Sequence, residues 1–399
     1  MSHEFSDLIN LVPAVPAVSA VPAAGEPGVD WDAVMKSGLA PCLRRMAETG
    51  QNPKWHGEGD VWTHTKLVCE SLIQNPAWRE LEKTHREELF VAALLHDIGK
   101  PSCTREEGGL IVSPNHASVG DRMARTILWR DFGLCGTPDA QCFRETVCSL
   151  IRFHIKPFYV IDEKTPERTA ITFAAQGELV PHFTNELLLI LAEADMRGRV
   201  AEDLADNPER LNFFRELSEE AGCLRQPKTF PSAFSRYAYL SGRNVFPGQD
   251  LYDDTWGTVV LLSGLPGTGK DTYIKEVYPD MHVVSLDAFR KEMKVSPTDS
   301  QGEVVRAATE QAKVYLRNHQ AFVWNATNVS IKHRERLIRL FMGYKAKVKI
   351  VFLETSWDEM LRRNQSRKAV VPESAIEKML EKMAPPSLCE AHEVEWILR

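Results

Sequence analysis

The sequence predicts a chain of two domains, an all-α domain followed by an α/β domain with a parallel sheet. With 399 residues, the chain is longer than one ordinary domain of roughly 100–200 residues. Its first half consists of Leu-, Ala- and Glu-rich segments with apolar residues at helical spacing. Its second half alternates short apolar runs with helical segments, which is the pattern of a parallel sheet covered on both faces.

Changes in composition along the chain give the predicted boundaries. The Pro- and Ala-rich residues 1–29 are expected to form a disordered tail, and their acidic start is unlike that of a signal peptide. Residues 30–220 form the predicted helical domain and residues 256–399 the α/β domain. Residues 221–255 hold Gly, Pro and aromatic residues without a clear period and are expected to link the two. Because no run approaches about 18 apolar residues, we expect no membrane span and a cytoplasmic location.

The predicted strands and helices follow from short runs of residues. The clearest helical segments are Arg86–Leu95 and Asn185–Glu193, which repeat apolar residues at helical spacing. Four nearly continuous apolar runs in the second half are predicted strands: Thr258–Leu262, His282–Ser285, Ala321–Trp324 and Lys347–Leu353.

Charge and cysteine usage narrow the class of protein further. The composition, 43% hydrophobic and 26% charged, is that of an ordinary globular protein. The eight cysteines include no C-x-x-C pair, which argues against a zinc ribbon or a redox dithiol and for reduced thiols. From residue 256 onward, 22 Lys and Arg face 18 Asp and Glu, a net charge of +4, whereas residues 1–255 carry −11. This small basic excess permits a nucleic-acid partner without requiring one.

A glycine-rich segment follows the first predicted strand and opens a predicted helix. Its spacing is that of a P-loop, in which backbone N–H groups surround nucleotide phosphates and Lys270 reaches the β and γ oxygens. The next residue is Asp271, where a P-loop usually has Ser or Thr. A carboxylate beside phosphates is repulsive unless a metal lies between them, so we expect Asp271 to bind Mg²⁺ directly or through water. The predicted nucleotide-binding residues are Gly264, Pro266, Gly267, Thr268, Gly269, Lys270, Asp271 and Thr272.

Polar residues at three later positions are candidates for the same site. Asp287 lies just after the second predicted strand and could accept a proton from an attacking hydroxyl, while Arg290 could hold a substrate phosphate. The alternative is an N-cap Asp with a solvated Arg. Asn325 ends the third strand, where a Walker-B carboxylate is expected. Arg363 and Arg367 lie four apart on a predicted helix and could clamp phosphates from a lid, the alternative being a solvated basic face.

These segments together resemble the phage-type polynucleotide kinase family of P-loop phosphotransferases over about residues 256–386. The resemblance rests on the P-loop, Ser285-x-Asp287-x-x-Arg290, Asn325-x-Thr327-Asn328, and Arg363-x-x-x-Arg367 followed by Val-Pro. It implies that Asp287 activates a 5′-hydroxyl, that Arg290 contacts a neighbouring phosphate, and that Arg363 and Arg367 hold the transferring phosphoryl group. It also implies ATP or another NTP, with Mg²⁺, as the phosphate donor.

The helical half carries an ordered set of His and Asp residues, each near an end or the inward face of a predicted helix. Any one of them could be a structural residue, but imidazole and carboxylate together suit divalent transition metals such as Mn²⁺, Co²⁺, Ni²⁺, Zn²⁺ or iron. The candidate metal ligands are His64, His96, Asp97, His116, His154 and Asp195.

This set resembles the HD phosphohydrolase superfamily, an all-α fold. The resemblance implies one metal held by the first His, the His-Asp pair and the last Asp: His64, His96, Asp97 and Asp195. It implies a second metal, bridged by the central Asp, at Asp97, His116 and His154. Two metals can clamp the attacking and leaving oxygens of a phosphoester and activate water. Lys100 could stabilise charge developing on the phosphorus oxygens.

A phosphohydrolase joined to a kinase is similar to the bacterial HD-domain polynucleotide kinases. That similarity implies an end-healing enzyme for RNA or DNA: a 5′-hydroxyl kinase with a hydrolase for 2′-phosphate, 3′-phosphate or 2′,3′-cyclic phosphate ends. An RNA ligase of the same pathway is a candidate partner. One alternative is a metabolic HD nucleotidase joined to a nucleoside or small-molecule kinase. Another is a chain in which one or both halves are non-catalytic, for example with an ATP-sensing module that regulates the hydrolase.

Overall fold

The computed structural model describes residues 4–14, 28–201, 207–296, 299–367 and 369–399. The chain divides into two compact units, Met1–Lys228 and Thr229–Arg399. The division lies within the segment that the sequence assigns to a linker. None of the helices in the described residues is both long and apolar enough to cross a membrane.

In its described residues, the first unit is mainly α-helical. Its α-helices are α1 Phe5–Ile9, α2 Trp31–Lys36, α3 Ala40–Ala47, α4 Val61–Gln74, α5 Pro76–Glu80, α6 Lys83–Leu95, α7 Lys100–Cys103, α8 His116–Thr126, α9 Pro138–Phe153, α10 Pro166–Ala174, α11 Asn185–Arg197 and α12 Asn207–Glu220. Short π or 3₁₀ turns span Ile127–Asp131, Lys156–Asp162 and Ala175–Glu178.

The predicted helical half departs from the structure in one detail. A short antiparallel hairpin joins β1, Arg105–Glu107, to β2, Leu110–Val112. Its three-residue strands are too short to show an alternating pattern, and they meet at Gly108-Gly109, both with positive φ as a tight hairpin turn requires.

The predicted disordered tail is also wrong over α1. Leu8 in this helix is fully buried, and the Phe5 ring packs edge-on against Phe143 with centroids 4.9 Å apart. Burial of Leu8 and the ring contact of Phe5 favour an ordered helix over a mobile segment. Residues 1–3 and 15–27 of the predicted tail lie outside the described residues.

The second unit is a five-stranded parallel sheet flanked by helices. Its strands are β3 Thr258–Ser263, β4 His282–Ser285, β5 Phe322–Asn325, β6 Lys347–Glu354 and β7 Glu393–Leu398. Its helices are α13 Ala233–Leu240, α14 Lys270–Val277, α15 Leu286–Met293, α16 Gly302–Arg317, α17 Ile331–Gly343, α18 Trp357–Gln365 and α19 Glu373–Leu380. The parallel sheet is confirmed, and the sequence missed only its last strand, whose residues are all half-buried rather than continuously buried.

The strand order, β4-β5-β3-β6-β7, places β3 in the middle of the sheet. Alternate residues of β3 enter apolar clusters on opposite faces, Val259 and Leu261 in one and Val260 and Leu262 in the other. Because all five strands run parallel, the segments after β3, β4 and β5 emerge at one edge. Ligands of open α/β sheets bind at that carboxyl edge.

A buried ionic network joins α8 to α9 in the first unit. Arg125 on α8 contacts Asp121 at 2.6 Å and donates to both carboxylate oxygens of Glu145 on α9. Arg144 donates to the same carboxylate at 2.8 Å. Burial alone would raise the pKa of Glu145, but the two guanidinium groups outweigh it and lower that pKa. The network therefore holds together two helices that carry candidate metal ligands at their ends.

Replacing Glu145 with Ala is expected to lower the free energy of unfolding of the first unit by about 3 kcal/mol, because a buried guanidinium loses a partner. Hydrogen exchange of the α8 and α9 amides, read by mass spectrometry, measures this unit separately from the second. The control Glu107→Ala removes an exposed ion pair with Arg105 and should change stability by less than about 0.5 kcal/mol. Equal exchange in the two variants would contradict the prediction.

The same difference should depend on pH. A carboxyl whose pKa is lowered by folding stabilises the protein above its unfolded pKa, here 4.5, and loses that effect as the pH falls through the folded value. The difference in the free energy of unfolding between the wild type and Glu145→Ala should therefore become smaller below pH 4.5.

Candidate metal centre and phosphate-binding loop

Helix ends deliver all the candidate metal ligands of the first unit to one place. Asp60 caps α4 by accepting a hydrogen bond from the Thr63 N–H at 2.9 Å, which fixes the start of the helix that carries His64. The remaining ligands lie in the turn after α6 (His96 and Asp97), at the start of α8 (His116), after α9 (His154) and near the end of α11 (Asp195). Of the six side chains, only His116 is more than 2% exposed.

The Asp97 carboxylate lies at the centre of this cluster, and its two oxygens face different imidazoles. Oδ2 is 3.2 Å from His96 Nε2 and 3.8 Å from His64 Nε2. Oδ1 is 3.4 Å from His116 Nε2 and 3.9 Å from His154 Nε2. This is the arrangement expected of a carboxylate that bridges two metal ions.

Backbone carbonyls orient three of the imidazoles. Each Nδ1–H donates to a carbonyl oxygen three residues earlier, at 2.7–2.8 Å: His96 to Ala93, His116 to Ser113 and His154 to Ile151. This bond fixes the tautomer and leaves Nε2, the atom that faces the cluster, as a ligand atom.

A close backbone approach brings α8 to the Asp97 turn. Gly99 lies in that turn, and a Cβ at this position would lie 2.2 Å from the carbonyl oxygen of His116 and 2.7 Å from the Gly120 nitrogen. Any larger residue at 99 would therefore push α8, and with it His116, away from the Asp97 carboxylate.

The donor set fits a cation. Nε2 of His96, Nε2 of His116 and Oδ1 of Asp97 are buried and have no hydrogen-bond partner among the described residues. Buried polar atoms are nearly always satisfied, and a divalent metal would satisfy all three. His64, His96 and Asp195 also offer ligand atoms within 4.8 Å of one another, as do His96, Asp97 and His154.

Charges around the cluster keep its carboxylates ionised. Burial would raise the pKa of Asp97, but the Lys100 ammonium, 2.7 Å away, and the His96 imidazole hold that pKa well below its usual range. Asp195 is likewise buried, and Arg199 and His64 hold its pKa well below normal. Ionised carboxylates are the form that binds metal.

The imidazoles differ in their protonation. Burial lowers the pKa of His116, and it lowers that of His154 to about 3, so both rings are neutral and able to bind metal through Nε2. Burial also acts to lower the pKa of His64, but Asp195 and Glu58 outweigh it and raise that pKa. A metal ion would compete with this proton for His64 Nε2.

The second unit forms its glycine-rich loop directly after β3. Gly264, Gly267 and Gly269 all have positive φ, and a Cβ on Gly267 would lie 2.6 Å from the carbonyl oxygen of Met360. Gly269 is the N-cap residue of α14, so the loop ends at a helix N-terminus, which favours phosphate. Pro266 and Thr268 are buried within the loop, whereas Thr272 is exposed.

Lys270 folds back over this loop. Its ammonium donates to the carbonyl oxygens of Gly264 at 2.9 Å and Leu265 at 2.7 Å. Burial lowers the pKa of Lys270 to about 8. The Lys270 ammonium, which could pair with a phosphate, is therefore held within the loop by backbone carbonyl oxygens.

The two residues that depart from the usual P-loop pattern contact each other. Asn325, the last residue of β5, donates from Nδ2 to Oδ1 of Asp271 at 2.6 Å. Asp271 is exposed at the start of α14, and Asn325 is buried. The sequence identified both departures without showing that they form a pair.

The predicted acceptor-side residues also meet. Arg290 forms an ion pair with Asp287, and Nη2 of Arg367 lies 3.8 Å from the other oxygen of that carboxylate. Ser285, and not Asp287, caps α15 by accepting from the Ala288 N–H, so the N-cap alternative for Asp287 is wrong.

Arg363 lies beside the glycine-rich loop. Its Nη1 is 3.4 Å from the position of a Cβ on Gly269, and its Nε donates to Glu359 at 2.5 Å. One arginine of the predicted clamp thus lies at the loop, and the other, Arg367, lies near Asp287.

Family models match both units. Residues 61–195 match the model described as an HD domain, and residues 259–386 match the model described as an AAA domain. The chain therefore joins an HD domain to a P-loop kinase-like domain. Over 188 residues it is 24% identical to the multifunctional CCA protein of Hahella chejuensis (strain KCTC 2396). That match covers 47% of this chain and 40% of the relative, so the chain spans less than half of the relative's length.

The HD domain contains a positioning carboxylate that sequence reasoning missed. Glu58 Oε1 lies 2.7 Å from His56 Nδ1 and 2.9 Å from His64 Nδ1, while its Oε2 accepts from the Val200 N–H at 2.9 Å. A carboxylate on the far nitrogen of a metal-binding His commonly orients the ring. Glu58 precedes α4 in a loop, so no periodic pattern pointed to it.

Arg199 is the second residue of the HD domain that was missed. It donates to both oxygens of Asp195, at 3.2 and 2.6 Å. The spacing Asp195-x-x-x-Arg199, one helical turn, was the signal that could have found it. The predicted Lys100 lies in the same cluster, where it also donates to Gln51 at 2.6 Å; its role in the reaction stays a prediction.

Changing Asp97 to Asn is expected to remove most of the divalent metal from the HD domain, because one carboxylate oxygen faces each pair of imidazoles. His116→Ala should remove about one of two equivalents, since only the Oδ1 side loses a ligand. Elemental analysis of the full chain after loading with Mn²⁺ and desalting measures the metal per chain. His333→Ala, an exposed histidine of the second unit, is the control. Wild-type metal content in both cluster variants would contradict the assignment.

Proposed function

We propose that this protein heals broken ends of RNA or DNA, as a 5′-hydroxyl kinase that uses ATP or another NTP and as a metal-dependent hydrolase of 2′,3′-end phosphates. The observation that carries the proposal is the position of Asp287. Its carboxylate is 66% exposed, it follows β4 at the same sheet edge as the P-loop, and Arg290 and Arg367 lie beside it. A general base must be open to the acceptor hydroxyl, and guanidinium groups beside it suit a phosphate-bearing acceptor.

In the kinase reaction, Asp287 takes the proton of the 5′-hydroxyl as its oxygen bonds to the γ-phosphorus. The bond from that phosphorus to the β–γ bridging oxygen breaks, and the nucleoside diphosphate leaves. Lys270 moves from the loop carbonyls to the β and γ oxygens. Arg363 and Arg367 hold the transferring group, while Arg290 binds the phosphate of the next nucleotide.

In the hydrolase reaction, Asp97, Asp195 and the surrounding imidazoles would hold the metals, with Glu58 orienting His64 and Arg199 orienting Asp195. Divalent metals supply an activated water and stabilise the leaving oxygen when bound. Lys100, 2.7 Å from Asp97, is near enough to the centre to stabilise charge on the phosphorus oxygens. A 2′-phosphate, 3′-phosphate or 2′,3′-cyclic phosphate is the substrate that complements a 5′-kinase.

The second candidate function is an HD nucleotidase joined to a nucleoside or small-molecule kinase. The observation in its favour is the net charge of only +4 from residue 256 onward, which is small for binding a long polyanion.

A cytoplasmic location also belongs to the proposal. It is supported by the eight cysteines, none of which forms a disulfide. An RNA ligase that seals the healed ends is the partner we expect.

Transfer of label from γ-labelled ATP to a 5′-hydroxyl RNA oligonucleotide, with Mg²⁺, tests the kinase assignment. Asp287→Asn should slow the transfer by about 10²–10⁴-fold, because the general base is lost. Asp280→Asn, an exposed carboxylate of the same unit, should not. Label on nucleosides alone would favour the second candidate, and label on neither acceptor would contradict both.

RNA oligonucleotides that end in a 2′,3′-cyclic phosphate, a 3′-phosphate or a 2′-phosphate test the hydrolase assignment. Hydrolysis should require a divalent transition metal, be lost in His96→Ala and persist in Asp287→Asn, because the two reactions use separate sites. Hydrolysis that survives His96→Ala, or that acts on mononucleotides only, would refute this part of the proposal.

A further inference from the structure

We propose that Asp271 and Asn325 form an exchanged magnesium site, in which the carboxylate and the neutral ligand of an ordinary P-loop have traded places. P-loop NTPases generally hold Mg²⁺ with the Ser or Thr after the P-loop lysine and with a Walker-B Asp. This chain has Asp271 after Lys270 and Asn325 at the Walker-B position. The inference rests on the proposed function only in requiring that the P-loop binds a magnesium nucleotide.

The sheet topology identifies Asn325 as the Walker-B equivalent. Strand β5 pairs directly with β3, the strand that leads into the P-loop, through Val323 opposite Val260 and Trp324 opposite Leu261. Asn325 is the next residue and the last of β5. Its side chain thus emerges next to the loop, where a strand-borne carboxylate would otherwise bind the metal.

The two side chains contact each other, so the two departures from the usual P-loop pattern can act as one pair of ligands. The Asn325 amide donates to Asp271 Oδ1 at 2.6 Å, which fixes the amide group beside the carboxylate. Together they retain one negative charge and one neutral oxygen ligand, the same set that Ser or Thr and Asp provide. Both carboxylate and amide oxygens are ligands that Mg²⁺ accepts.

Burial explains why the charge lies on the helix side. Asp271 is exposed, whereas only 8% of Asn325 is exposed. A carboxylate at 325 beside Asp271 would place two negative charges in contact, one of them desolvated, and one would take up a proton. A carboxylate at position 271 therefore requires a neutral residue at position 325.

A purely structural role makes different predictions. Asp271, in the first turn of α14, could simply stabilise the helix N-terminus. In that case its charge would repel nucleotide phosphates whether or not Mg²⁺ is present. As a metal ligand, it repels them only without Mg²⁺ and favours them with it.

The test measures the affinity of the full chain for a fluorescent ATP analogue in Mg²⁺ and in EDTA, with Asp271→Ser, Asn325→Asp, the double variant and the control Asp280→Ser. Mg²⁺ should raise the nucleotide affinity of the wild type, and this increase should be about 10–100-fold smaller in each single variant. In EDTA, Asp271→Ser should bind the nucleotide more tightly than the wild type, because a repulsive charge is gone. The double variant should recover most of the gain, because it restores the ordinary P-loop arrangement.

Two results would overturn the inference: a wild-type Mg²⁺ gain in Asp271→Ser, or a double variant as deficient as the single ones. Recovery in the double variant also excludes misfolding as the cause of the losses. Because no acceptor is present, the result is independent of whether the kinase acts on polynucleotides, on nucleosides or on neither. A failure of the RNA-labelling test would therefore leave this inference standing, and the reverse also holds.

Discussion

The structure of the HD domain depends on one buried carboxylate. Asp97 is 1% exposed, and an isolated buried carboxylate would be strongly unfavourable. The imidazoles around it and the Lys100 ammonium make its ionised form stable. Helices far apart in the sequence must converge to supply those groups, as His64 and Asp195 show, which are in contact across 131 residues of chain. Stabilising this one carboxylate therefore requires contacts between helices that lie far apart in the sequence.

The P-loop domain handles charge differently. Its loop keeps Lys270 against backbone carbonyls, and two of its carboxylates, Asp271 and Asp287, lie exposed at the sheet edge, each next to a donor or a cation. Charges in the HD domain are desolvated and fixed, which suits a site that holds metal permanently. The exposed carboxylates of Asp271 and Asp287 can change partners without being desolvated, which suits a site that binds and releases nucleotide.

Sequence reasoning was most successful where chemistry and position coincide in a short motif. The His-Asp dipeptide, the glycine spacing and the apolar strands identified the cluster, the loop and the parallel sheet. It failed where a residue acts through a loop or across the sheet. Glu58 precedes its helix, and β7 is a half-buried strand without a continuous apolar run. The pairing of Asp271 with Asn325 depends on β5 lying next to β3, which the order of the strands in the sequence does not reveal.

The contact of Gly267 with Met360 has a consequence for motion. Helix α18, which carries Arg363, touches the P-loop through its own main chain, and the Met360 side chain is fully buried. The arginine is therefore mounted on the wall of the site and not on a hinged flap. In the proposed reaction, Arg363 reaches phosphate by releasing Glu359 and the main-chain carbonyl of Arg399 and by changing rotamer. Such side-chain motions take picoseconds to nanoseconds, whereas hinge motions of a separate lid take microseconds to milliseconds. The proposed engagement of Arg363 with phosphate therefore requires a side-chain motion and no movement of a lid.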